Sequence, residues 1–303
     1  MPAAMEFPQF KEIQLEDRDV IQEILWAYQP DTSEATFTNF YLWRNHYGIR
    51  WSRYSEWLLF LCAADPRGAY GFPPIGPPSR REAVGQLLQW LVGQGGENPR
   101  IERADQRLVE ELQGAEELAI EPLRDHFDYI YRSQDLIQLA GRKYHGKRNH
   151  INQLLRSHAF TYAALEEKHV DGCLELSGRW CVPHRCAEDL SLSHEWDAVR
   201  EGLANFRELK LQGGVLLEGN KVQAFTLGER LNRETAVVHV EKADPEIPEL
   251  YTLINQQFCE HVWRDVNYIN REQDLGDPGL RQAKLSYFPD RFSEKFQIRR
   301  RQE

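Results

Sequence analysis

The sequence predicts a mixed α/β fold, of α/β or α+β layers, arranged in two domains. The chain has 303 residues, which corresponds to about two domains of ordinary size. Helical and extended patterns alternate along both halves, and this mixture is typical of layered α/β proteins rather than helical bundles. Apolar residues make up 41% of the chain, enough for true hydrophobic cores. We expect one domain over residues 1–140 and a second over residues 141–303.

In the first half, helices are predicted where apolar residues recur at helical spacing. These stretches are 15–28, 32–48 and 80–93, and the second of them closes on Gly48. The aromatic-rich stretch 49–63 alternates apolar and polar residues, which predicts a β-hairpin.

In the second half, the same alternation is clearer. Gly219-Asn220 is a tight-turn dipeptide between two alternating runs, so residues 214–231 are predicted to form a hairpin. The other predicted elements are helix 143–157, strand 160–165, helix 195–209, strand 234–243, helix 244–263, strand 266–270, helix 277–287 and a terminal strand, RFSEKFQI.

Charge is distributed unevenly along the chain, whose formal net charge is −10. Residues 1–140 hold 13 basic and 22 acidic side chains, a net of −9, and residues 141–303 hold 24 and 25, a net of −1. Binding of a polyanion depends on the local patch rather than on the average over the chain. The overall acidity therefore does not exclude an anionic ligand in the second half.

The sequence shows no feature of a membrane-spanning or secreted protein. No apolar run approaches the ~20 residues that a membrane helix needs, and the first residues lack a secretory pattern, so we expect a cytoplasmic protein. Five irregularly spaced cysteines favour reduced thiols over a disulfide framework. CVPHRC, residues 181–186, brings together three side chains that can bind a metal, but no second ligand pair follows it, so no metal is predicted.

The segment GRKYHGKRNHINQLLR, residues 141–156, concentrates positive charge. It has five Lys or Arg, two His and no acidic residue. On a helix, Tyr144, Ile151 and Leu155 would form one apolar stripe, with Arg148 inside it and Lys147 at its edge.

This placement suggests that Arg148, with Lys147, holds a carboxylate or phosphate in a cleft. Asn149 and His150 would lie beside them as further substrate-binding residues. The alternative is that both cations snorkel to solvent or pair with a nearby acid.

The predicted strand VVHVEK places His239 and Glu241 on the same face. An attacking amine must lose a proton, and either side chain could accept it as a catalytic base. The alternative is a histidine that only forms structural hydrogen bonds.

The densest remaining polar stretch follows the strand at 266–270, at a strand end where α/β ligand sites gather. A structural role in capping and ion pairing is the alternative to ligand binding. The candidate substrate-binding residues here are Asn270, Arg271, Glu272, Asp274, Lys284 and Tyr287.

Several segments together resemble bacterial proteins related to the C-terminal domain of phosphatidylglycerol lysyltransferase. These are YQPDTSEATFTNFYLWR, KYHGKRNHI, VVHVEKADPEIP, YTLINQQFCEH and YINREQDLGDPGLRQAKLSYFP. The resemblance covers nearly the whole chain. It implies two tandem acetyltransferase-like (GNAT) domains packed around an interdomain cleft, as in the FemABX aminoacyl transferases. It also implies acyl or aminoacyl transfer, in the better-known relatives from aminoacyl-tRNA to an amine or hydroxyl, with a small molecule or a lipid as acceptor.

One segment departs from the pattern of acetyl-CoA enzymes, which cradle pyrophosphate with a Gly-rich loop. The equivalent EKADPEIPEL, residues 241–250, has no glycine, two prolines and several acids. Acyl-CoA bound in the usual manner is therefore disfavoured, and aminoacyl-tRNA is the preferred candidate donor. No other cofactor is predicted. The competing hypothesis is a non-catalytic protein of the same fold that binds a small anionic metabolite or a protein partner.

Overall fold

The computed structural model describes residues 5–184, 190–247 and 249–301. The strands in chain order are β1 (Lys11–Glu12), β2 (Ile49–Tyr54), β3 (Trp57–Cys62), β4 (Tyr70–Gly71), β5 (Arg100–Ala104), β6 (Leu118–Pro122), β7 (Asp128–Arg132), β8 (Phe160–Ala164), β9 (Gln212–Glu218), β10 (Lys221–Arg230), β11 (Thr235–Ala243), β12 (Tyr268–Asn270), β13 (Arg291–Ser293) and β14 (Phe296–Arg300). The helices are α1 (Arg18–Tyr28), α2 (Phe37–Leu42), α3 (Arg44–Tyr47), α4 (Arg81–Gly93), α5 (Gln106–Glu111), α6 (Ser133–Gln138), α7 (His145–Ser157), α8 (Glu167–His184), α9 (Leu190–Ala204), α10 (Leu250–Val262) and α11 (Pro278–Leu285).

The first compact unit is built on a sheet in the order β1-β2-β3-β4-β5-β14-β6. It gathers Met1–Asp128, Gln273–Arg281 and Phe292–Glu303. Strand β14, from the end of the chain, lies between β5 and β6 and is antiparallel to both. Its core forms where α4 and α5 cover β5 and β14, through residues such as Leu87, Leu88, Ile101, Leu108 and Ile298.

The second compact unit is built on a sheet in the order β13-β7-β12-β11-β10-β9-β8. It gathers Tyr129–Glu272 and Gln282–Arg291. Helices α7 and α10 form its core with β9 and β10, through residues such as Ile151, Leu154, Leu216, Leu253 and Ile254. A domain boundary between residues 140 and 141 stays a prediction.

Most of the elements expected from periodicity are present. The predicted hairpin in the second half is β9–β10, and Gly219 takes the left-handed conformation its turn requires, with φ of 59°. The predicted helix 195–209 is shifted and is observed as α9. The single terminal strand predicted from RFSEKFQI is wrong, because this segment forms β13 in the second sheet and β14 in the first.

Helix α7 faces its core with a different stripe from the predicted one. Leu154 is 7% exposed, whereas Leu155, which was expected to be buried, is 47% exposed. At about 100° per residue, Lys147 then falls between Leu154 and Ile151, inside the buried stripe, and Arg148 lies at its edge. The sequence predicted Arg148 inside the stripe and Lys147 at its edge, and the structure shows the opposite.

Three cysteines, Cys62, Cys173 and Cys259, are free and buried. The expectation of reduced thiols holds for them but is wrong for Cys181, which is disulfide-bonded. Within the described ranges, no helix combines the length and apolar character needed to cross a bilayer.

Candidate active site

Strands β11 and β12 are parallel neighbours that pair over a short stretch. Residues 235–237 face residues 268–270, after which β12 ends and β11 continues to Ala243. The carboxyl ends of parallel strands are where α/β proteins gather ligand-binding side chains. We call the region between residues 238–243 and residues 271–272 the strand opening.

The carboxylate of Glu241 is held from two sides at the strand opening. Arg271 Nη2 donates to its Oε1 at 2.9 Å, and Asn255 Nδ2, on α10, donates to its Oε2 at 3.1 Å. The side chains of Arg271 and Glu241 are only 13% and 11% exposed, so water screens this ion pair poorly. Glu241 is therefore engaged as an acceptor by protein groups.

One nitrogen of the Arg271 guanidinium makes no hydrogen bond within the described part of the protein. Its Nη1 is buried and has no hydrogen-bond partner among the described residues. Its Cζ lies 4.7 Å from the ring centroid of Tyr287 and 5.9 Å from that of Tyr131. Burial disfavours the charged form, but Glu241 and the neighbouring tyrosines outweigh it and raise the pKa of Arg271. A charged guanidinium with an unused N–H group is suited to a carboxylate or phosphate oxygen.

Lys147 brings a second cation to the same tyrosine. Its Nζ lies 3.5 Å from the ring centroid of Tyr287 and donates to Ser286 Oγ at 2.8 Å. No carboxylate among the described residues lies within ion-pair distance of this ammonium. Burial and, secondly, repulsion from Arg271 lower the pKa of Lys147 to about 8. Glu241 pairs with Arg271 and not with Lys147, so these two cations have one paired carboxylate between them and the site has a local excess of positive charge.

His239 lies between two carboxylates. Its Nδ1 contacts Glu272 Oε1 at 2.8 Å, its Nε2 contacts Glu229 Oε1 at 3.0 Å, and its side chain is 4% exposed. Burial alone would lower the pKa of His239, but these two hydrogen bonds and charges raise it to about 10. The imidazole is thus protonated near neutral pH, which favours a structural clamp over the proton-accepting role predicted for it.

The three residues that follow Lys147 on α7 are placed differently from Lys147. Arg148 Nη1 donates to the backbone carbonyls of Leu139 and Gly141, the latter at 2.8 Å. Asn149 and His150 are exposed. The anion-binding roles expected for these three side chains stay predictions, and the geometry gives Arg148 the role of capping the end of α6.

Two other predicted residues, Asn270 and Lys284, bind the backbone at the strand opening. Asn270 is fully buried, and its Oδ1 accepts from the backbone N–H of Glu272 at 2.8 Å, which fixes the turn after β12. Lys284 Nζ donates to the carbonyl of Arg271, and the carbonyl of Lys284 accepts from Tyr131 Oη at 2.8 Å. These contacts position the backbone of Arg271.

Asp274 belongs to the first compact unit rather than the second. It is fully buried and receives the guanidinium of Arg281 through Nε and Nη2, each at 2.8 Å. Within that unit it anchors the start of α11.

Two residues that complete the site were not predicted from sequence. Asn255 is 1% exposed and lies on the apolar face of α10, between Ile254 and Phe258, which are fully buried. Glu229 is 6% exposed near the end of the largely buried strand β10. Neither residue has a distinctive local signal, because each lies among other polar residues, in LINQQF and in KVQAFTLGER.

No group of three or more His, Cys, Asp or Glu suited to a metal ion occurs in the described part of the chain. The segment CVPHRC, residues 181–186, extends outside the described residues.

Comparison with known proteins identifies relatives over most of the chain. A family model described as phosphatidylglycerol lysyltransferase, C-terminal, matches residues 27–299. A conserved protein of unknown function from Bacteroides thetaiotaomicron is 32% identical, with a TM-score of 0.90 over 96% of this chain and 99% of that chain. L-PGS from Bacillus licheniformis is 13% identical, with a TM-score of 0.67 over 95% and 93% of the two chains. FemX is 9% identical, with a TM-score of 0.53 over 95% and 96%. No curated protein matches the chain.

At the identity of L-PGS and FemX, a structural likeness shows the fold alone. That likeness confirms the predicted fold of two tandem acetyltransferase-like (GNAT) domains. Since the family match spans residues 27–299 and the Bacteroides protein is 32% identical over nearly its full length, this chain belongs to the family of phosphatidylglycerol lysyltransferase C-terminal domains.

Proposed function

We propose that this chain transfers an aminoacyl group from aminoacyl-tRNA to an amine or hydroxyl acceptor at the strand opening of the second unit. Membership of a family named for lysyl transfer supports aminoacyl chemistry. The observation that carries the proposal is the buried, partnerless Nη1 of Arg271 together with the half-buried ammonium of Lys147, since both cations lie near the ring of Tyr287. This pair of cations is complementary to an anionic group of the donor or acceptor.

The proposed reaction is a direct transfer. The acceptor's amine or hydroxyl attacks the ester carbonyl of the aminoacyl-tRNA, a C–N or C–O bond forms, and the ester C–O bond breaks. The ribose oxygen leaves with the proton that the acceptor loses, so the step needs no oxidant or further reactant. Arg271 and Lys147 would orient the substrates and stabilise negative charge that develops on the carbonyl oxygen. The proton-accepting role of His239 and Glu241 stays a prediction, and it would require His239 first to lose its proton or Glu241 first to leave Arg271.

The preference for tRNA over an acyl-CoA donor rests on the segment 241–250. It has no glycine and offers acidic side chains where a pyrophosphate would need backbone donors. A small-molecule or lipid acceptor and a cytoplasmic location are further parts of this proposal.

The test is transfer of label from a tRNA pool charged with radioactive amino acids to phosphatidylglycerol vesicles or to small amines. Arg271→Lys keeps a positive charge for Glu241 but removes the fork, so we expect transfer to fall at least about tenfold, or 1.4 kcal/mol. Arg264→Lys is the matched control, because Arg264 is 66% exposed and pairs with Glu260 on the surface. Arg148→Ala distinguishes the two candidate arginines, and we expect it to retain transfer.

Undiminished transfer by Arg271→Lys, with a loss in Arg148→Ala, would move the site to Arg148. Absence of tRNA binding at low salt would rule out the tRNA-dependent reaction, because a protein binds a polyanion most strongly at low salt.

One observation favours the non-catalytic alternative. His239 is protonated between two carboxylates and Glu241 is paired with Arg271, so neither is a free base in this arrangement. A protein that binds anions through Arg271 and transfers no label to any acceptor would support this second candidate, the binding of a small anionic metabolite or a partner.

A further inference from the structure

Two lysines one helical turn apart differ sharply in their surroundings. Lys143 is 44% exposed, and its Nζ lies 3.1 Å from Asp135 Oδ2. Lys147 is half-buried, lies against the ring of Tyr287 and has a guanidinium, Arg271, as its charged neighbour. The pair thus provides a reactive candidate and a matched internal control within one peptide segment.

We propose that Lys147 Nζ is a site of covalent N-acylation and that its donors are anionic activated acyl compounds of the acyl phosphate class. The inference uses the anion site of the proposed function but does not require that aminoacyl transfer takes place. Acylation would convert the ammonium into a neutral amide and so weaken the site's attraction for anions.

The chemistry requires a neutral amine and a nearby electrophile. The lone pair of Nζ attacks the acyl carbonyl, a C–N bond forms, the C–O bond to phosphate breaks, and inorganic phosphate leaves. The amine proton passes to solvent. Ser286 Oγ accepts a hydrogen bond from Nζ and the face of Tyr287 limits its motion, so the amine is held in place. The positive charge of Arg271 would hold the phosphate group of the donor.

The charges around Lys147 favour its neutral form. Helix α7 carries no acidic residue. Of the groups on the surrounding elements, Arg271 is a cation, the carboxylate of Glu241 is committed to Arg271, Tyr287 is a buried phenol and Asp135 is paired with Lys143.

With a pKa of about 8, Lys147 is neutral in a substantial fraction of molecules near pH 7.5. A lysine with the ordinary pKa of about 10.4 has roughly 200-fold less neutral amine at that pH. Lower basicity also reduces nucleophilicity, so the expected advantage in rate is smaller than this ratio.

The experiment treats the wild-type protein with acetyl phosphate between pH 7 and 10 and follows each lysine by peptide mass spectrometry. At pH 7.5 we expect Lys147 to be acetylated at least tenfold faster than Lys143. Its rate should level off above about pH 8.5, while that of an ordinary lysine keeps rising toward pH 10. Excess inorganic phosphate should slow Lys147 without affecting Lys143.

Equal rates for the two lysines at pH 7.5, or a Lys147 rate that rises in parallel with that of Lys143 up to pH 10, would overturn the inference. The result is separable from the transfer assay. If Lys147 is acetylated selectively but no aminoacyl transfer is detected, this inference holds and the proposed function fails. If transfer is detected but Lys147 is not acetylated selectively, only this inference fails.

Discussion

At the residue scale, both ring nitrogens of His239 contact carboxylates, those of Glu229 and Glu272. Glu229 is buried and the side chain of Glu272 is 21% exposed, and the imidazolium between these two carboxylates offsets their mutual repulsion. Its effect on stability therefore depends on its own protonation.

A histidine whose pKa is raised on folding stabilises the native state fully below its ordinary pKa of about 6.5. This contribution is lost as the pH rises through the folded-state pKa of about 10. We expect His239→Gln to lose about 3–5 kcal/mol of unfolding free energy at pH 6.5, because it leaves the buried carboxylate of Glu229 and the partly buried one of Glu272 without their cation. The difference in unfolding free energy between wild type and variant, measured by urea denaturation, should decrease steadily from pH 7 to pH 10.

The control for this variant is His158→Gln, since His158 also contacts a glutamate, Glu218, at 2.9 Å but is 32% exposed. Its cost should stay below about 1 kcal/mol. If the difference in unfolding free energy between His239→Gln and wild type did not change with pH, a protonated His239 between the two carboxylates would be contradicted.

Also at the residue scale, the sequence identified Lys147, Glu241 and Arg271 as candidates but not how they meet. Glu241 and Arg271 are 30 residues apart, and their pairing depends on β11 and β12 being parallel neighbours. Local patterns determine which face of an element is apolar, but they do not specify which distant element covers it.

At the scale of elements, α7 offers a direct test of its orientation. Leu154 packs in the core of the second unit, whereas the adjacent Leu155 is exposed. We expect Leu154→Ala to cost about 2–5 kcal/mol in unfolding free energy, because it leaves a cavity. Leu155→Ala should change it by no more than about 0.5 kcal/mol.

Chemical denaturation of the two variants under identical conditions measures this difference. Similar losses for both leucines, or a larger loss at Leu155, would restore the stripe expected from sequence and return Arg148 to the interior side of the helix.

The elements that sequence predicted well are those defined by local interactions. Gly219-Asn220 specifies a hairpin whose two strands are adjacent in the chain, and the helical spacing of Ile151 and Leu154 specifies α7. The failures involve choices that local sequence leaves open. Either of two adjacent leucines could continue the α7 stripe, and the division of RFSEKFQI between two sheets depends on strands more than 150 residues away.

At the scale of the whole molecule, the chain returns at its end to complete the first unit. Lys295, just before β14, is fully buried, and its Nζ lies 2.6 Å from Asp128 Oδ1 and 2.5 Å from Glu34 Oε2. The ammonium ties three distant parts of the chain together within that unit. Its removal would leave the buried Asp128 without this cation and would leave Glu34 with only the longer, 3.7 Å ion pair to Arg103.

We therefore expect Lys295→Met to destabilise the protein by about 3–5 kcal/mol. Arg299→Gln, in the adjoining strand, is the control, because Arg299 pairs with Glu121 at the surface and such pairs contribute about 1 kcal/mol or less. Thermal unfolding followed by circular dichroism measures both. A Lys295→Met variant as stable as Arg299→Gln would show that this buried cluster does not support the fold.

The place of β14 between β5 and β6 has a consequence for biosynthesis. While the ribosome is still translating, β5 and β6 are already made but lack the strand that joins them. Their exposed edges are of the kind that chaperones shield and that pair wrongly with other chains. A nascent polypeptide arrested before residue 296 would thus be released with an open first sheet, as a natural target for quality-control proteases.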